Sequence, residues 1–355
     1  MPEGHTIHKI ARDHSKHLVD AGPISVSSPQ GRFAADAERI NGSALARIEP
    51  HGKHLFYHWA TGEIGHVHLG LFGKYKVFTS TVPEPSPNCR MRLATPSVTI
   101  DLAGPTACTL DDPSARKQIL ARLGPDPIKP RQDASKMIDK IAKSKRGIGD
   151  LLMDQSVVAG VGNVYRAEAL FVCGIHPLRP GTECDRVELE ALWHTIVGML
   201  RQGVKDGRII TVPREESGVP RGKRVPRREA TYAYKRDTCL RCGTEIEHLD
   251  IQNRTSYHCP TCQPRCPGQH ARRDNASASR CSAVTGLRLR SPQWTDSITD
   301  LGVRHPRTTH RGSNNQPCRT LHRHNRTHNR IHNHNHNRRN SRSPSRRRRP
   351  AAMHR

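Results

Sequence analysis

The sequence has few aromatic and apolar residues. Of its 355 residues, 4% are aromatic and 34% hydrophobic, and there is no run of 18 apolar residues. A membrane-spanning helix needs a run of about that length, so no membrane span is expected. The N-terminus also lacks a basic stretch followed by an apolar segment, so no secretory signal is expected either. These absences favour an intracellular protein.

Negative charge is scarce. Lys and Arg together number 58 against 32 Asp and Glu, which gives a formal net charge of +26. Residues 264–355 hold 21 Arg, no Lys and three acidic residues, so they carry +18 and residues 1–263 carry +8. This balance argues against an ordinary neutral metabolic enzyme and makes a polyanion the first partner to consider.

Periodicity predicts an α+β chain with three folded parts and a tail. A helical pattern near the N-terminus precedes period-two runs typical of strands, and helical spacing returns after residue 112 up to a Pro-rich basic loop at residues 213–230. Beyond the last cysteine pair, Arg, His, Asn and Ser dominate, which predicts disorder. The predicted parts are an N-terminal β-sandwich domain preceded by a helix (1–112), a helical domain (113–230), a cysteine module (231–263) and a disordered basic tail (264–355).

Four of the eleven cysteines form two C-x2-C pairs separated by sixteen residues: Cys239, Cys242, Cys259 and Cys262. Each pair can present two thiolates to one tetrahedral ion, so the spacing predicts a ribbon that holds one structural Zn²⁺. The alternative is a coincidental set of buried or redox cysteines. The span between the pairs suits a β-hairpin, and Arg254 lies at its expected tip, directed toward a phosphate or a base.

Residues 151–165 predict a turn between two helices. Gly160 and Gly162 lie two residues apart, and Asn163 stands where the second helix would begin. Backbone amides at such a turn, together with a helix N-terminus, favour a bound backbone phosphate. The alternative is an ordinary helical turn in which the glycines are caps and Asn163 is the N-cap.

Pro2 becomes the first residue if the initiator methionine is removed. Its secondary amine could then attack an electrophilic sugar carbon and form an iminium, while Glu3 moves the proton. Met-Pro is also a common start without any catalytic meaning, so this interpretation depends on the rest of the chain.

Several motifs together resemble the formamidopyrimidine-DNA glycosylase / endonuclease VIII family, in the same order from residue 2 to residue 263. The motifs are Pro2-Glu3-Gly4, His51-Gly52-Lys53-His54-Leu55, His68-Leu69-Gly70-Leu71-Phe72-Gly73, Asp154-Gln155-x4-Gly160-Val161-Gly162-Asn163-Val164-Tyr165, and the four-cysteine ribbon. The resemblance implies that the helical domain is a helix-two-turn-helix domain. It also implies that Pro2 is the nucleophile, that Glu3 is the acid that opens the deoxyribose ring, and that Lys53 lies by the lesion phosphates.

The resemblance also implies how damaged DNA is held. Gly162 and Asn163 correspond to the phosphate clamp, and Arg254 to the arginine that binds the phosphates beside the lesion. A glycosylase extrudes its base and needs an apolar wedge for the hole left in the stack, for which Leu71 and Phe72 are the candidates. The alternative for this Leu-Phe pair is a place on a strand, in the core.

Two features depart from the family pattern. The Arg-Phe pair of members specific for oxidised purines is missing from residues 101–108, which favours the endonuclease VIII branch and oxidised pyrimidines and leaves the opposite base open. The β domain is also rich in histidine, for which we expect hydrogen-bonded strand positions, with a second metal site as the alternative. These histidines are His51, His54, His58, His66 and His68.

Two functions from different classes therefore compete. The first is a bifunctional DNA glycosylase/AP lyase of base excision repair that cleaves by β- and δ-elimination. The second is a catalytically silent zinc-ribbon protein that binds damaged or single-stranded DNA, although such a protein could lose the Pro2-Glu3 start. For either we expect a monomer in the cytoplasm, associated with the nucleoid, with damaged DNA as partner, no membrane and no small-molecule cofactor.

The tail allows two explanations. It is either an arginine-rich arm that adds nonspecific nucleic-acid affinity or the translation of out-of-frame or read-through sequence. The switch in composition where family members usually end favours the second.

Overall fold

A computed structural model describes residues 2–220 and 222–265, which lie within one compact unit of the chain. The prediction of a disordered tail at 264–355 falls outside these residues, apart from its first two positions. No described helix combines the length and apolarity that a membrane span requires.

The N-terminal part is a β-sandwich preceded by helix α1 (Gly4–Leu18), as predicted. Two four-stranded antiparallel sheets have the strand orders β1-β6-β7-β5 and β2-β3-β4-β8. Helix α1 packs its apolar face into the same core as the inward side chains of both sheets. A short helix, α2 (Ala34–Ile40), follows the first strand. The strands are β1 (Ser25–Ser27), β2 (Leu45–His51), β3 (His54–Trp59), β4 (Ile64–His68), β5 (Lys74–Phe78), β6 (Cys89–Ala94), β7 (Thr99–Ala103) and β8 (Ala107–Asp111).

Four of the five histidines named above make side-chain hydrogen bonds, namely His51, His54, His58 and His66. On β3, Leu55 and Tyr57 belong to the core, so His54 points to the opposite face of the sheet. There its Nδ1 lies 2.9 Å from Nε2 of His66 on the neighbouring strand. Burial lowers the pKa of His54 to about 3 and that of His66 to about 4, so both rings are neutral at pH 7.

Helices form the central part of the chain. The longest, α7, begins with a capping box in which Asp185 and Glu188 bond each other's backbone, and it is followed by Gly207 at φ +68°. The short helix before the turn of residues 151–165 ends at Leu151, and Asp154 accepts the Ser156 amide and closes the turn that follows. The helices are α3 (Pro113–Ala121), α4 (Ser135–Ala142), α5 (Ile148–Leu151), α6 (Asn163–Val172) and α7 (Arg186–Asp206).

The cysteine module contains the expected β-hairpin, made of β9 (Glu247–Asp250) and β10 (Thr255–His258). Its tip is closed by backbone hydrogen bonds in both directions between Ile251 and Arg254. Gln252 and Asn253 between them both have φ +55°, the conformation of a type I′ turn, whose twist matches that of the two strands.

Three glycines bring distant segments into backbone contact. Gly4 at the start of α1 donates its amide to the Gly160 carbonyl at 2.8 Å. A Cβ on Gly160 would lie 3.3 Å from the Gly4 Cα and 3.4 Å from the Gly52 Cα. We call Gly4, Gly52 and Gly160 the glycine junction. It joins the N-terminus, the β2–β3 turn and the turn before α6.

The glycine junction predicts that Gly52→Ala destabilises the protein far more than Gly62→Ala. Both glycines have positive φ, +55° and +89°, but only Gly52 is crowded, since its Cβ would lie 2.8 Å from the Ala159 Cβ. We expect a loss of about 1 kcal/mol for Gly62→Ala from backbone strain. For Gly52→Ala we expect a further loss of about 1–3 kcal/mol from the overlap. Urea unfolding measures both, and equal losses would show that the junction is not tightly packed.

Candidate functional site

The Glu3 carboxylate is fully buried at the N-terminus of α6. Its Oε1 accepts the Val164 amide at 2.9 Å, and its Oε2 accepts the amides of Gly162 at 2.9 Å and Tyr165 at 3.4 Å. A helix N-terminus stabilises negative charge through such free amides. The anion at this terminus is therefore a side chain of the protein, held directly after Pro2.

Gly162 permits this approach. A Cβ at residue 162 would lie 2.5 Å from the Glu3 Cδ, so any other residue would push the carboxylate away. The Gly162 amide is thereby committed to Glu3, and the phosphate-holding role of Gly162 stays a prediction. The sequence showed that the turn suits an anion but did not reveal which one.

Lys53 lies beside Glu3 and donates through Nζ to the Val161 carbonyl at 2.7 Å. Burial raises the pKa of Glu3, and the Lys53 charge and the α6 amides only partly oppose it. Burial also lowers the pKa of Lys53 to about 8, against the attraction of Glu3 and with a contribution from the Arg254 charge. The site thus pairs a carboxyl group whose pKa is raised with an amine whose pKa is lowered.

Asn163 connects α6 to the hairpin instead of facing outward. Its Nδ2 donates to the Thr255 carbonyl at 2.9 Å, and its Oδ1 accepts from Arg166. Gly162 is the N-cap of α6 and Asn163 is the first residue of the helix, without a capping side-chain bond. The amide of Asn163 therefore fixes the hairpin relative to Glu3.

Two buried charged residues on α6 were not predicted from the sequence. Arg166 is fully buried and donates to Asn163, to the Thr255 carbonyl and to the Gly149 carbonyl. Glu168 is also fully buried; it accepts the Thr211 hydroxyl at 2.5 Å and the amides of residues 232–234 at 2.7–3.0 Å. It thereby joins both ends of the basic loop at 213–230 to α6. Their helical spacing from Asn163 was the available signal, but charged residues usually indicate a solvated face.

The remaining predicted site residues lie on exposed turns. Arg254 is exposed at the hairpin tip, and its charge lowers the pKa values of both Lys53 and Arg166, which locates it near the Glu3 site. Leu71 and Phe72 are 54% and 85% exposed in the turn between β4 and β5. The alternative that placed this pair on a strand in the core is wrong, because the strand ends at His68 and the chain turns at Gly70 with φ +64°.

The four cysteines of the module converge on one point. Their Sγ atoms all lie within 4.8 Å of one another, with separations such as 3.5 Å for Cys242–Cys259 and 3.9 Å for Cys239–Cys262. A tetrahedron of thiolates about 2.3 Å from an ion has edges of roughly 3.8 Å. The donor set therefore fits a metal ion. Within 2–220 and 222–265 no other group of three or more His, Cys or acidic side chains converges in this way.

Two domain models of one protein family match the N-terminal β-sandwich and the helical part of the chain. The formamidopyrimidine-DNA glycosylase N-terminal domain matches residues 1–114, and the formamidopyrimidine-DNA glycosylase H2TH domain matches residues 123–214. This chain belongs to the formamidopyrimidine-DNA glycosylase family. Endonuclease 8 1 of Mycobacterium tuberculosis H37Rv is 43% identical over 270 residues, which are 74% of this chain and 100% of that protein. The formamidopyrimidine-DNA glycosylase of Geobacter metallireducens is 30% identical over 267 residues, covering 73% of this chain and 96% of that enzyme.

Solved structures agree in fold. The Lactococcus lactis family enzyme in complex with a DNA containing FAPY-dG superposes with a TM-score of 0.62 at 22% identity, over 74% of this chain and 99% of that one. The structure of MutM in complex with a DNA containing carbocyclic 8-oxo-G superposes with a TM-score of 0.63 at 22% identity, over 74% of this chain and 100% of that one. The predicted α+β architecture and family are confirmed.

Proposed function

We propose that this chain is a DNA glycosylase and AP lyase of base excision repair in which Pro2 is the nucleophile, and that it acts on oxidised pyrimidines. Family membership supports the reaction. The observation that carries the residue roles is the fully buried Glu3 carboxyl beside Lys53, directly after Pro2. The absence of the purine-type Arg-Phe pair from residues 101–108 and the relative named endonuclease 8 favour pyrimidines.

The proposed chemistry begins once Met1 has been removed. The Pro2 nitrogen attacks C1′ of the damaged nucleoside, and the base leaves with the electron pair of the glycosidic bond and takes up a proton. Glu3, whose raised pKa favours the protonated carboxyl, donates to the ring oxygen as the deoxyribose opens to an iminium. Loss of a C2′ proton then expels the 3′ phosphate, a second elimination expels the 5′ phosphate, and hydrolysis of the iminium frees Pro2.

The cations of the site suit a phosphate backbone. Lys53 and the exposed Arg254 act on the same region, since the Arg254 charge lowers the pKa of Lys53. We propose that both hold the phosphates beside the lesion. In this proposal Asn163 serves DNA binding through the hairpin, whose Thr255 carbonyl it anchors.

Borohydride trapping tests the reaction. We expect the wild type to form a covalent adduct with an oligonucleotide that contains an abasic site or an oxidised pyrimidine, with less adduct on an oxidised purine. Mass spectrometry of the digested adduct should map it to the N-terminal peptide beginning at Pro2. Blocking that amine with an uncleaved N-terminal tag should abolish trapping. Glu3→Gln should lower base removal, measured below the melting temperature of the variant, which should fall because the Gln NH2 cannot accept the amide that a carboxylate oxygen accepts.

The alternative predicts different results. A catalytically silent zinc-ribbon protein would bind the same oligonucleotide and form no adduct. An adduct on a lysine peptide would overturn the assignment of Pro2 while leaving the enzyme class intact, and equal trapping on oxidised purines would overturn the substrate preference.

We propose that Leu71 and Phe72 fill the space left by the extruded nucleotide. Their exposure on one turn supports this, because burying two large apolar side chains in a base stack offsets the cost of unstacking, a few kcal/mol. Leu71→Ala/Phe72→Ala should lower single-turnover base removal in duplex DNA at least about tenfold, since tenfold corresponds to about 1.4 kcal/mol. Single-stranded DNA should be affected less. Val187→Ala, at an equally exposed position on α7 (74%), is the control, and an unchanged rate in the double variant would refute the wedge.

We propose that the ion of the cysteine cluster is Zn²⁺, because four thiolates in two C-x2-C pairs are its usual structural ligands. Metal analysis should give one zinc per chain in the wild type and less in Cys259→Ser. Chelation should unfold the module and abolish DNA binding. Cys89→Ser, at a buried cysteine on β6, is the control for loss of a thiol. DNA affinity that survives zinc loss would contradict the proposal.

A further inference from the structure

Asp126 is a fully buried carboxylate in the connection between α3 and α4. Its Oδ2 accepts both the His8 Nε2 and the Gly52 amide at 2.7 Å, and its Oδ1 accepts the Ile128 amide at 3.0 Å. A buried carboxylate is stable only with such partners. The Asp126 carboxylate joins α1, the β2–β3 turn and the connection between α3 and α4.

The protonation of this cluster follows from its contacts. Burial acts to raise the pKa of Asp126, but the hydrogen bond and charge of His8 and the amides of Gly52 and Ile128 outweigh it, so the pKa is lowered. An ionised carboxylate can only accept, so His8 donates through Nε2. His8 is therefore the one side-chain donor in this set of bonds.

The connection between α3 and α4 contacts the segments that hold the backbone and the side-chain amine of Lys53. Gly52, whose amide Asp126 holds, directly precedes Lys53 in the glycine junction. At the other end, the Lys53 Nζ donates to Val161. The turn before Val161 is fixed to the connection by the Gly124 amide on the Gln155 carbonyl at 2.9 Å and by the Ala159 amide on the Pro125 carbonyl at 3.0 Å.

We propose that His8 and Asp126 are positioning residues for Lys53: the hydrogen bond from His8 orients Asp126, which holds the Gly52 amide and so fixes where the Lys53 amine lies relative to Glu3. This inference rests on the proposed function. Neither residue touches the reacting atoms. A misplacement of about 1 Å at a reacting group can cost about a hundredfold in rate, so a hydrogen bond behind the site is enough to affect catalysis.

His14 provides a matched control. It lies on the same helix as His8, is 2% exposed, and its ring also makes one buried side-chain hydrogen bond, from Nδ1 to the Tyr57 hydroxyl at 2.8 Å. Tyr57 faces the core of the sandwich and not the Lys53 turn. His8→Leu should cost more stability than His14→Leu, because it removes a donor from a buried carboxylate, and of the two variants His8→Leu should change the environment of Lys53.

The first measurement is an NMR titration of the Lys53 amine in the full chain without DNA. We expect a pKa near 8 in the wild type, where burial lowers it against the charge of Glu3 and where Arg254 and His68 also face the amine. In His8→Leu the amine gains access to water, so its pKa should rise toward the ordinary value of about 10.4. His14→Leu should leave it unchanged. His8→Gln restores a donor close to the Nε2 position and should return the titration toward the wild-type value.

The second measurement is single-turnover cleavage and borohydride trapping across the pH range. We expect His8→Leu and Asp126→Asn to lower the rate at saturating DNA about ten- to a hundredfold, and to move the alkaline limb of the rate to higher pH. An unmoved Lys53 titration in His8→Leu, or the same change in His14→Leu, overturns the inference whether or not the protein is active. A wild type that never traps overturns the proposed function alone, since the titration is read without DNA.

Discussion

The approach of three backbones at the glycine junction is the constraint on which the site depends. Gly4, Gly52 and Gly160 come from segments far apart in sequence, and a Cβ on Gly4 would lie 2.9 Å from the Gly160 Cα. At this spacing the backbones themselves are in van der Waals contact, so the residues that follow them are placed without the freedom of long side chains. Glu3, Lys53 and Val161 are neighbours of these glycines, and they meet for that reason.

Three buried carboxylates convert this contact into a defined geometry. Glu3, Asp126 and Glu168 are all fully buried, and each accepts backbone amides from a segment remote in sequence. Replacing the water around a carboxylate by fixed amides is costly unless every amide is well aligned, so such groups tolerate little displacement. The pKa of Asp126 is lowered because a histidine adds its hydrogen bond, whereas those of Glu3 and Glu168 are raised because burial prevails. The same type of contact thus serves to hold a turn at Asp126 and to hold, at Glu3, a carboxyl group whose pKa is raised.

Local spacing was enough to predict the elements but not the long-range partners. The cysteine pairs, the hairpin with Arg254 at its tip and the order of sheets before helices all follow from periods and spacings within about twenty residues. The group bound at the N-terminus of α6 could not be predicted from such spacings, because Glu3 is some 160 residues away in sequence and any anion fits the same amides. Arg166 and Asp126 were missed for a related reason: their charge suggests exposure until the partner that compensates it is known.

The positions of individual cations matter more than the net charge of residues 1–263. Residues 1–263 carry only +8, and several of their cations are committed to acids inside the protein, as Arg116 and Lys129 are to Glu49. Lys53 is placed differently: burial and the Arg254 charge lower its pKa to about 8 against the attraction of Glu3. A partly desolvated cation interacts more strongly with an opposite charge than a solvated surface lysine does. In the proposed function, a few such cations supply the attraction for phosphate at the site, and a high net charge on residues 1–263 is not required.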